Sequence, residues 1–311
     1  MELRQLRYFV AIVDHGSLSR AARVLHIAQP ALTQQIQQLE DELGTQLLHR
    51  SAQGVLSTDA GKIFYEHAQA ILKQVDDAKS AVAQSTGKPA GTVALGIPPS
   101  VSGALALPLL TAVRETYPEI SLQLTEELSG NLIEQLKSGR INLAVLFDDG
   151  QLGAFATTPL VEEDMLFISR AGSRFAPKKK AIPLEKAAEL PLILPGVQHG
   201  VRTRVENIMR AAGLSLENVS DINSVAILKS ALLADLGVTI LPIAPMLAEI
   251  ELGQMVAHPI SGAAISRTVA LCSSRNIPLT NAAAAVRKLV LDVTGELCAS
   301  GRWIGAKALS R

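Results

Sequence analysis

The hydrophobic positions of the first sixty residues predict three helices, each with one apolar face. The first covers residues 3–13, where the apolar stripe is Leu3, Leu6, Phe9, Val10 and Val13. A short second helix begins after Ser17, a good cap, and places the small Ala21 and Ala22 where two helices would cross. A third helix has anchors spaced by four, three and four residues, namely Leu32, Ile36, Leu39 and Leu43.

The opposite face of the third helix is polar but uncharged. Pro30 suits a first helical turn, where its missing N–H leaves no bond unmade. Glutamine can form two hydrogen bonds with the edge of adenine, and threonine offers a hydroxyl and a methyl group. The pattern predicts a helix-turn-helix whose second helix enters the DNA major groove; the alternative is a surface helix whose polar face is only solvated. The residues of this face are Gln29, Pro30, Ala31, Thr33, Gln34 and Gln37.

Two short apolar runs around Gly54 predict a hairpin wing within Leu47–Thr58. Arg50 and Thr58 are placed to contact phosphates, which position a protein on DNA without reading its sequence. With Ser17 and the polar face of the third helix, they complete the predicted DNA-binding residues of a domain over residues 1–58.

The pattern from Leu3 to Gly61 resembles the winged helix-turn-helix of LysR-type transcriptional regulators. Gln34 stands where many members carry Arg, so no base preference is transferred from the family. Leu48 stands where many carry Phe, which is interpreted as a packing change. The resemblance extends over the whole chain and implies a sequence-specific DNA-binding transcriptional regulator that contacts RNA polymerase. The matching residues are Leu6, Phe9, Gly16, Ser17, Ala21, Ala22, Leu25, Gln29, Pro30, Ala31, Thr33, Ile36, Leu39, Glu40, Leu43, Gly44, Leu47, Arg50, Thr58, Ala60 and Gly61.

A long helix without proline is predicted from Thr58 to Ser85, capped by Ser57 or Thr58. Its apolar positions recur every three or four residues, which favours pairing with a helix of a second subunit. The alternative is packing against the chain's own domains. Gly87–Gly91 breaks the helix, so residues 59–87 form a linker. The resemblance implies antiparallel dimerisation through this helix, a homodimer or homotetramer, and a roughly palindromic DNA site.

From Gly91 onwards, short apolar runs alternate with helical segments, which predicts a mostly parallel α/β architecture. The resemblance implies two lobes like those of periplasmic solute-binding proteins, with lobe I at about 91–160 and 267–300 and lobe II at about 163–265. The chain would cross between them near Leu160–Glu162 and Ile265–Arg267. The tail, residues 301–311, is expected to be a loose end. The predicted strands are 92–97, 121–125, 141–147, 164–169, 192–194, 219–222, 238–241 and 267–273, and the predicted helices are 103–116, 131–138, 201–212, 224–236 and 280–297.

Open α/β sheets bind ligands at the carboxyl ends of their strands. Three loops there supply hydroxyls or free amides, and Arg202 is a candidate partner for an anionic ligand. The alternatives are ordinary helix-capping serines and a solvated arginine. By the family pattern, the residues near the effector cleft are Ser100, Ser102, Ser129, Phe147, Val201 and Arg202.

The composition of the chain bears on the predicted DNA binding mainly through its charge. The 311-residue chain has a formal net charge of zero, and residues 1–62 contain six basic and six acidic side chains. Because phosphate neutralisation supplies most nonspecific DNA affinity, we expect tight binding to require an oligomer. The two cysteines, Cys272 and Cys298, have no metal or redox spacing and are expected to be buried hydrophobes. The N-terminus does not resemble a signal peptide and no long apolar run occurs, so we expect a cytoplasmic protein without a membrane partner.

Three other classes are less consistent with the sequence. An enzyme is disfavoured because the nucleotide, zinc and hydrolase motifs are missing, and we predict no catalytic residue, metal or cofactor. A solute-binding protein for transport does not need a helix-turn-helix. A nonspecific architectural protein needs net positive charge. The resemblance therefore implies a regulator controlled by a small, anionic metabolite bound between the two lobes, with an effector-independent regulator controlled by its own abundance as the alternative.

Overall fold

The computed structural model describes residues 1–51, 54–83, 88–148, 150, 152–196 and 200–309. The chain forms two compact units, Met1–Ser85 with Ser138–Arg140, and Thr86–Lys137 with Ile141–Arg311. The first unit contains α1 (Leu3–His15), α2 (Leu18–Val24), α3 (Gln29–Leu43), β1 (Leu48–Ser51), β2 (Gly54–Ser57) and α4 (Asp59–Ala83).

The helix-turn-helix and its wing form as the sequence predicts. Ser17 caps α2 by accepting a hydrogen bond from the amide of Arg20, and β1 pairs antiparallel with β2. The tip of the predicted wing, residues 52–53, lies outside the described residues. The core of this unit is Phe9, Ile12, Ala21, Ala22, Leu32, Ile36, Leu39, Leu47, Leu48 and Val55.

Two expectations about the apolar stripes are wrong. Leu3 is exposed, and Ile12, rather than Val13, is fully buried on α1. Leu43 is 40% exposed, because α3 ends at the left-handed Gly44 and Glu40 occupies the buried position of its last turns.

The start of α4 is fixed by its cap and by close packing. Thr58 caps the helix by accepting from the amide of Gly61 at 2.9 Å. A Cβ atom at Gly61 would overlap the carbonyl oxygen of Leu47, so glycine is required by space. The rings of Phe9 and Phe64 meet edge to face at 5.1 Å. The predicted end of this linker, residues 84–87, lies outside the described residues.

Lobe I of the second unit is a six-stranded sheet with helices α5 (Pro99–Thr116), α6 (Ser129–Ser138) and α11 (Asn281–Ala299). The strand order is β15-β6-β14-β5-β3-β4. The prediction of a mostly parallel sheet is wrong, because β3 pairs in parallel with β4 and β5 while the remaining pairs are antiparallel. The strands are β3 (Gly91–Ile97), β4 (Ile120–Glu126), β5 (Leu143–Asp148), β6 (Phe155–Asp164), β14 (Ser266–Ser274) and β15 (Ala306–Ala308).

Lobe II has its own core around Phe167, Leu194, Val205 and Ile240. Its strands are β7 (Leu166–Arg170), β8 (Ile182–Pro183), β9 (Leu192–Leu194), β10 (Val219–Asp221), β11 (Thr239–Leu241), β12 (Met255–His258) and β13 (Ile260–Ser261). Its helices are α7 (Leu184–Ala188), α8 (Gly200–Ala211), α9 (Val225–Leu233) and α10 (Leu247–Glu251).

The chain passes between the lobes where β6 ends and where β14 begins. The amide of Met165 donates to the carbonyl of Ile265 at 2.7 Å, so the two crossing segments lie side by side. They run in opposite directions, which explains why β6 and β14 are antiparallel. The hydrophobic pattern misses β6 because Thr157, Thr158 and Pro159 interrupt it.

The tail is not a loose end. Residues Ala306–Ala308 pair with β6, and Trp303 is fully buried in lobe I. Within the described part of the chain, we find no helix with the length and apolar character needed to span a bilayer.

Candidate DNA-binding and effector sites

The amino-terminal half of α3 presents an uncharged polar surface. Gln29, Pro30, Ala31, Gln34 and Gln37 are exposed, and Thr33 is half-buried. No side chain caps this end of the helix, so its first amides remain available to an acceptor such as a phosphate oxygen. The predicted reading surface therefore forms one continuous face.

Two of these glutamines have partners within the motif. The Gln29 Oε1 accepts a hydrogen bond from the Ser19 hydroxyl at 2.8 Å, and the Gln37 amide donates to Asp41 at 2.9 Å. These contacts orient both side chains at the surface. Gln34 lies between them in sequence and is exposed.

A buried carboxylate joins α3 to the wing, and sequence reasoning missed it. Glu40 accepts from the amides of Leu47 and Leu48 at 2.8 and 3.1 Å. Arg50 lies 3.5 Å from the same carboxylate. The spacing of four from Ile36 places Glu40 on the apolar stripe, a signal that could have marked it as buried.

The two residues predicted to contact phosphates also have internal partners. The Thr58 hydroxyl donates to the carbonyl of Gln46 at 2.8 Å while it caps α4, and Arg50 pairs with Glu40. Arg50 keeps part of its side chain in solvent, so it can reach outward from the wing.

In the second unit, four of the predicted effector residues line one cavity of about 60 Å³ at the junction of the lobes. Ser100 lies in the first turn of α5, Ser129 begins α6, Phe147 lies in β5 and Val201 lies in the first turn of α8. The walls are largely apolar, and the lining residues are Pro98, Pro99, Ser100, Leu128, Ser129, Phe147, Pro195, Gly200, Val201, Ile222, Asn223, Val225, Leu228, Leu241 and Pro245.

The structure does not place the other two predicted effector residues on this wall. Ser102 donates to Glu126 and to the carbonyl of Pro99. Arg202 is buried and pairs with Glu206 at 2.5 Å and Asp221 at 2.8 Å. Its charge is therefore already compensated by two carboxylates.

Arg267, predicted from the sequence to lie in a crossover and a strand but not in the site, is the arginine next to the cavity. Its guanidinium donates to Glu163 through Nε and Nη2, at 2.9 and 2.7 Å. Nη2 also donates to the Ser100 hydroxyl at 3.0 Å, and the group lies 3.9 Å above the Phe147 ring. Burial lowers the pKa of Arg267, and the Glu163 carboxylate acts against that shift.

Charged side chains gather in a second cavity of about 260 Å³ that shares Phe147 and Gly200 with the first. Asp148, Glu162 and Arg204 line it. Both signs of charge are present there, so this compartment does not by itself select an anion.

The two thiols lie outside both cavities, as their lining residues show. Burial raises the pKa of the Cys272 thiol to about 11 and also raises the pKa of Cys298. The reactive thiolate form is therefore disfavoured at both positions.

Comparison with protein families decides what this architecture is. Residues 3–62 match the model "Bacterial regulatory helix-turn-helix protein, lysR family", and residues 86–295 match "LysR substrate binding domain". The chain belongs to the LysR family. It is a DNA-binding transcriptional regulator with an effector-binding domain, and the resemblance inferred from the first sixty residues is confirmed.

Named relatives agree with this assignment. The chain is 40% identical to "Nitrogen assimilation regulatory protein nac" of Klebsiella aerogenes over 243 residues, 78% of each protein. It is 30% identical to "Hydrogen peroxide-inducible genes activator" of Pectobacterium carotovorum subsp. carotovorum over 279 residues, 90% of this chain and 92% of the other. Both are regulators of gene expression, which supports the prediction that this LysR protein is not an enzyme.

Among solved structures, full-length BenM is similar, with a TM-score of 0.59 and 26% identity. The alignment covers 98% of this chain and 99% of the BenM chain. The likeness extends over the helix-turn-helix, the linker helix and both lobes, so the predicted fold class is confirmed.

Proposed function

We propose that this LysR regulator reads promoter DNA with α3 and is controlled by a small molecule in the cavity that Ser100, Ser129, Phe147 and Val201 line. The observation that carries the proposal is the convergence of these four residues, from four separate elements, on one cavity. About 60 Å³ inside this cavity is accessible to water-sized groups, which is below the range of about 300–1,000 Å³ that is usual for small-molecule sites, so the effector should be small.

The bonding of Ser100 defines which ligand group fits beside it. Its hydroxyl oxygen accepts from the buried guanidinium of Arg267, and this leaves the O–H free to donate. The ligand atom opposite Ser100 should therefore be an acceptor, such as a carbonyl, carboxylate or hydroxyl oxygen. The apolar walls favour an apolar body for the rest of the ligand.

A net negative charge on the ligand is not required by this wall. None of the described lining residues is charged, and both Arg202 and Arg267 are compensated by carboxylates. This revises the expectation of an anionic metabolite: we propose an acceptor-bearing, largely apolar effector, charged or neutral.

Peroxide sensing through a thiol is disfavoured for this chain, although one relative carries peroxide in its name. The raised pKa values of Cys272 and Cys298 keep both thiols protonated at neutral pH. Treatment of the purified protein with hydrogen peroxide should leave DNA binding and the count of free thiols unchanged. Rapid loss of both thiols together with altered DNA binding would contradict this.

The effector proposal is tested by calorimetric titration of the intact protein with a metabolite library, followed by Ser129→Ala. The variant should weaken the response to any compound found, since it removes a hydroxyl from the wall, while Ser220→Ala on the exposed β10 should not. A library without a single binder, together with unchanged footprints on DNA, would favour the effector-independent alternative.

The DNA-reading proposal is tested by genome-wide footprinting of the purified protein at near-physiological salt. We expect a few sharp, pseudo-palindromic sites. Gln34→Ala should lose or change them without loss of stability, whereas Gln46→Ala, exposed outside α3, should leave them intact. Identical footprints for the Gln34 variant would remove Gln34 from the reading surface.

Dimer or tetramer formation completes the proposal. On α4, Ile63 is 64% exposed and Val82 is 78% exposed, which suits burial against a second copy of the helix. Ultracentrifugation should show an oligomer, and Ile63→Lys should dissociate it and weaken DNA binding. RNA polymerase contact, the remaining predicted partner, is tested by co-footprinting on a bound promoter.

A further inference from the structure

The carboxyl-terminal segment, residues 302–309, is built into lobe I beside the effector cavity. In the pairing of β15 with β6, Ala306 lies opposite Glu163 and Ala308 opposite Val161. The amide of Asp164 donates to the carbonyl of Gly305 at 2.8 Å. Trp303, which precedes this strand, is 1% exposed.

A chain of hydrogen bonds leads from this segment to the cavity wall. The indole N–H of Trp303 donates to Glu163 Oε1 at 2.9 Å. The other oxygen of Glu163, Oε2, accepts from Nε and Nη2 of Arg267. Nη2 of Arg267 donates in turn to the Ser100 hydroxyl, and Ser100 lines the cavity.

Burial makes this chain of bonds act as a unit. Glu163 is 0% exposed and Arg267 is 7% exposed, so water has little access to the bonds around the Glu163 carboxylate. Nη1 of Arg267 already has no hydrogen-bond partner in the described structure. Loss of one further contact leaves a buried charge or donor unsatisfied, and the remaining groups must then reorient.

We infer that Trp303 is a positioning residue for the effector site: it fixes Glu163, which fixes Arg267, which holds the Ser100 hydroxyl with its O–H directed away from the guanidinium. The tail then contributes to the geometry of the effector site. The step from Ser100 to a ligand rests on the proposed function, while the coupling between Ser100 and Trp303 does not need a ligand.

The first experiment uses the intrinsic fluorescence of the intact protein, because Trp303 is the single tryptophan of the chain. Ser100→Ala removes a hydrogen-bond acceptor that is connected to the indole of Trp303 through three successive hydrogen bonds. The guanidinium should reorient, shift Glu163 and change the emission maximum or the quantum yield of Trp303. Ser102→Ala is the matched control, since Ser102 lies on the same helix but bonds to Glu126 and Pro99.

The expected result is a changed spectrum for Ser100→Ala and an unchanged one for Ser102→Ala. Superimposable spectra for Ser100→Ala and the parent protein would overturn the inference, and so would equal changes in both variants. A failed ligand search would not affect this readout, so failure of the proposed function remains distinguishable.

A second experiment distinguishes coupling between Trp303 and Ser100 from a local disturbance around either substituted residue. Trp303→Phe keeps most of the ring volume but lacks the donor, and it is combined with Ser100→Ala and, separately, with Ser129→Ala. Shifts in the urea midpoint should be non-additive for the pair with Ser100 and additive for the pair with Ser129, which lines the same cavity outside the chain of bonds. Additivity in both pairs would overturn the inference.

Discussion

Each unit of this regulator buries a carboxylate, and the two are held in different ways. Glu40 in the DNA-binding unit accepts from the backbone amides of Leu47 and Leu48, seven and eight residues away in sequence. Glu163 in the effector unit accepts from side chains 104 and 140 residues away, Arg267 and Trp303. The first connection joins neighbouring elements of a small motif, whereas the second joins β6, β14 and the segment that contains Trp303, which are distant in sequence.

The two sets of hydrogen-bond partners differ in how freely they can move. Backbone amides have fixed positions once α3 and β1 have formed, so Glu40 acts as a structural joint between helix and wing. Side chains can reorient, so under our proposal the positions of Arg267 and Ser100 depend on Glu163 and Trp303. The buried carboxylate connects backbone segments in one unit and side chains in the other.

The largest expected effect comes from removing the cation of the effector unit. Arg267→Met leaves the Glu163 charge buried and without its ionic partner, which should lower the free energy of unfolding by about 3–5 kcal/mol. Urea denaturation of the intact chain measures this, with Arg210→Met on the exposed face of α8 as the control.

Adding Glu163→Gln to Arg267→Met sharpens the result. The amide oxygen keeps an acceptor for Trp303 but removes the unpaired charge, so part of the lost stability should return. A single variant as stable as the Arg210 control would show that the buried pair contributes nothing.

The corresponding change in the DNA-binding unit is Glu40→Ala. It leaves the amides of Leu47 and Leu48 without their acceptor, and each buried orphan donor costs about 1–3 kcal/mol. Thermal unfolding should show the loss, while Glu42→Ala at the exposed end of α3 should not. An equal effect of both substitutions would contradict the distinction between a buried joint and surface charge.

Packing at the wing gives a smaller effect that involves no charge. Gly61→Ala places a methyl group against the Leu47 carbonyl, and overpacking of this kind costs about 1–3 kcal/mol. Gly130→Ala, where a Cβ would meet open space, should be neutral or stabilising. Calorimetry of both variants measures the difference, and equal stability would mean that the start of α4 adjusts freely.

The smallest effect is a dependence of folding stability on pH that is confined to high pH. Tyr65 on α4 donates to Asp14 on α1, and burial together with this carboxylate raises the pKa of Tyr65 to about 12. The neutral phenol is favoured by folding, so its contribution is complete below pH 10, the model-compound value, and is lost as pH rises towards 12. Tyr65→Phe should reduce the change of unfolding free energy with pH between pH 10 and 12. It should also remove a tyrosine that ionises at high pH from an ultraviolet titration. A profile unchanged by the substitution would show that the ionisation of Tyr65 is not linked to the stability of the fold.

Local chemistry made much of the fold predictable. The caps by Ser17 and Thr58 depend on bonds to amides three residues away, and the bounds of α2, α3 and the wing follow from nearby residues. The alternation of strands and helices after Gly91 was also readable, because each element buries its own apolar run. The strand β6 was missed, because Thr157, Thr158 and Pro159 interrupt its apolar pattern.

The effector site was predictable only in part. Ser100, Ser129, Phe147 and Val201 follow from the rule that ligands bind at strand ends, and the structure brings them together. The rule does not say which arginine remains near the cavity. Arg202 is paired with Glu206 and Asp221 within lobe II, whereas Arg267 enters from a crossing strand.

The helix-turn-helix, the wing and the linker helix could be predicted from the sequence, because they depend on periodicity and on short-range capping. The strand in the tail and the connected group of Trp303, Glu163, Arg267 and Ser100 emerge only when the chain is folded. Hydrophobic spacing indicates which face of an element is buried, whereas the pairing of buried polar groups depends on which distant strands the fold sets side by side.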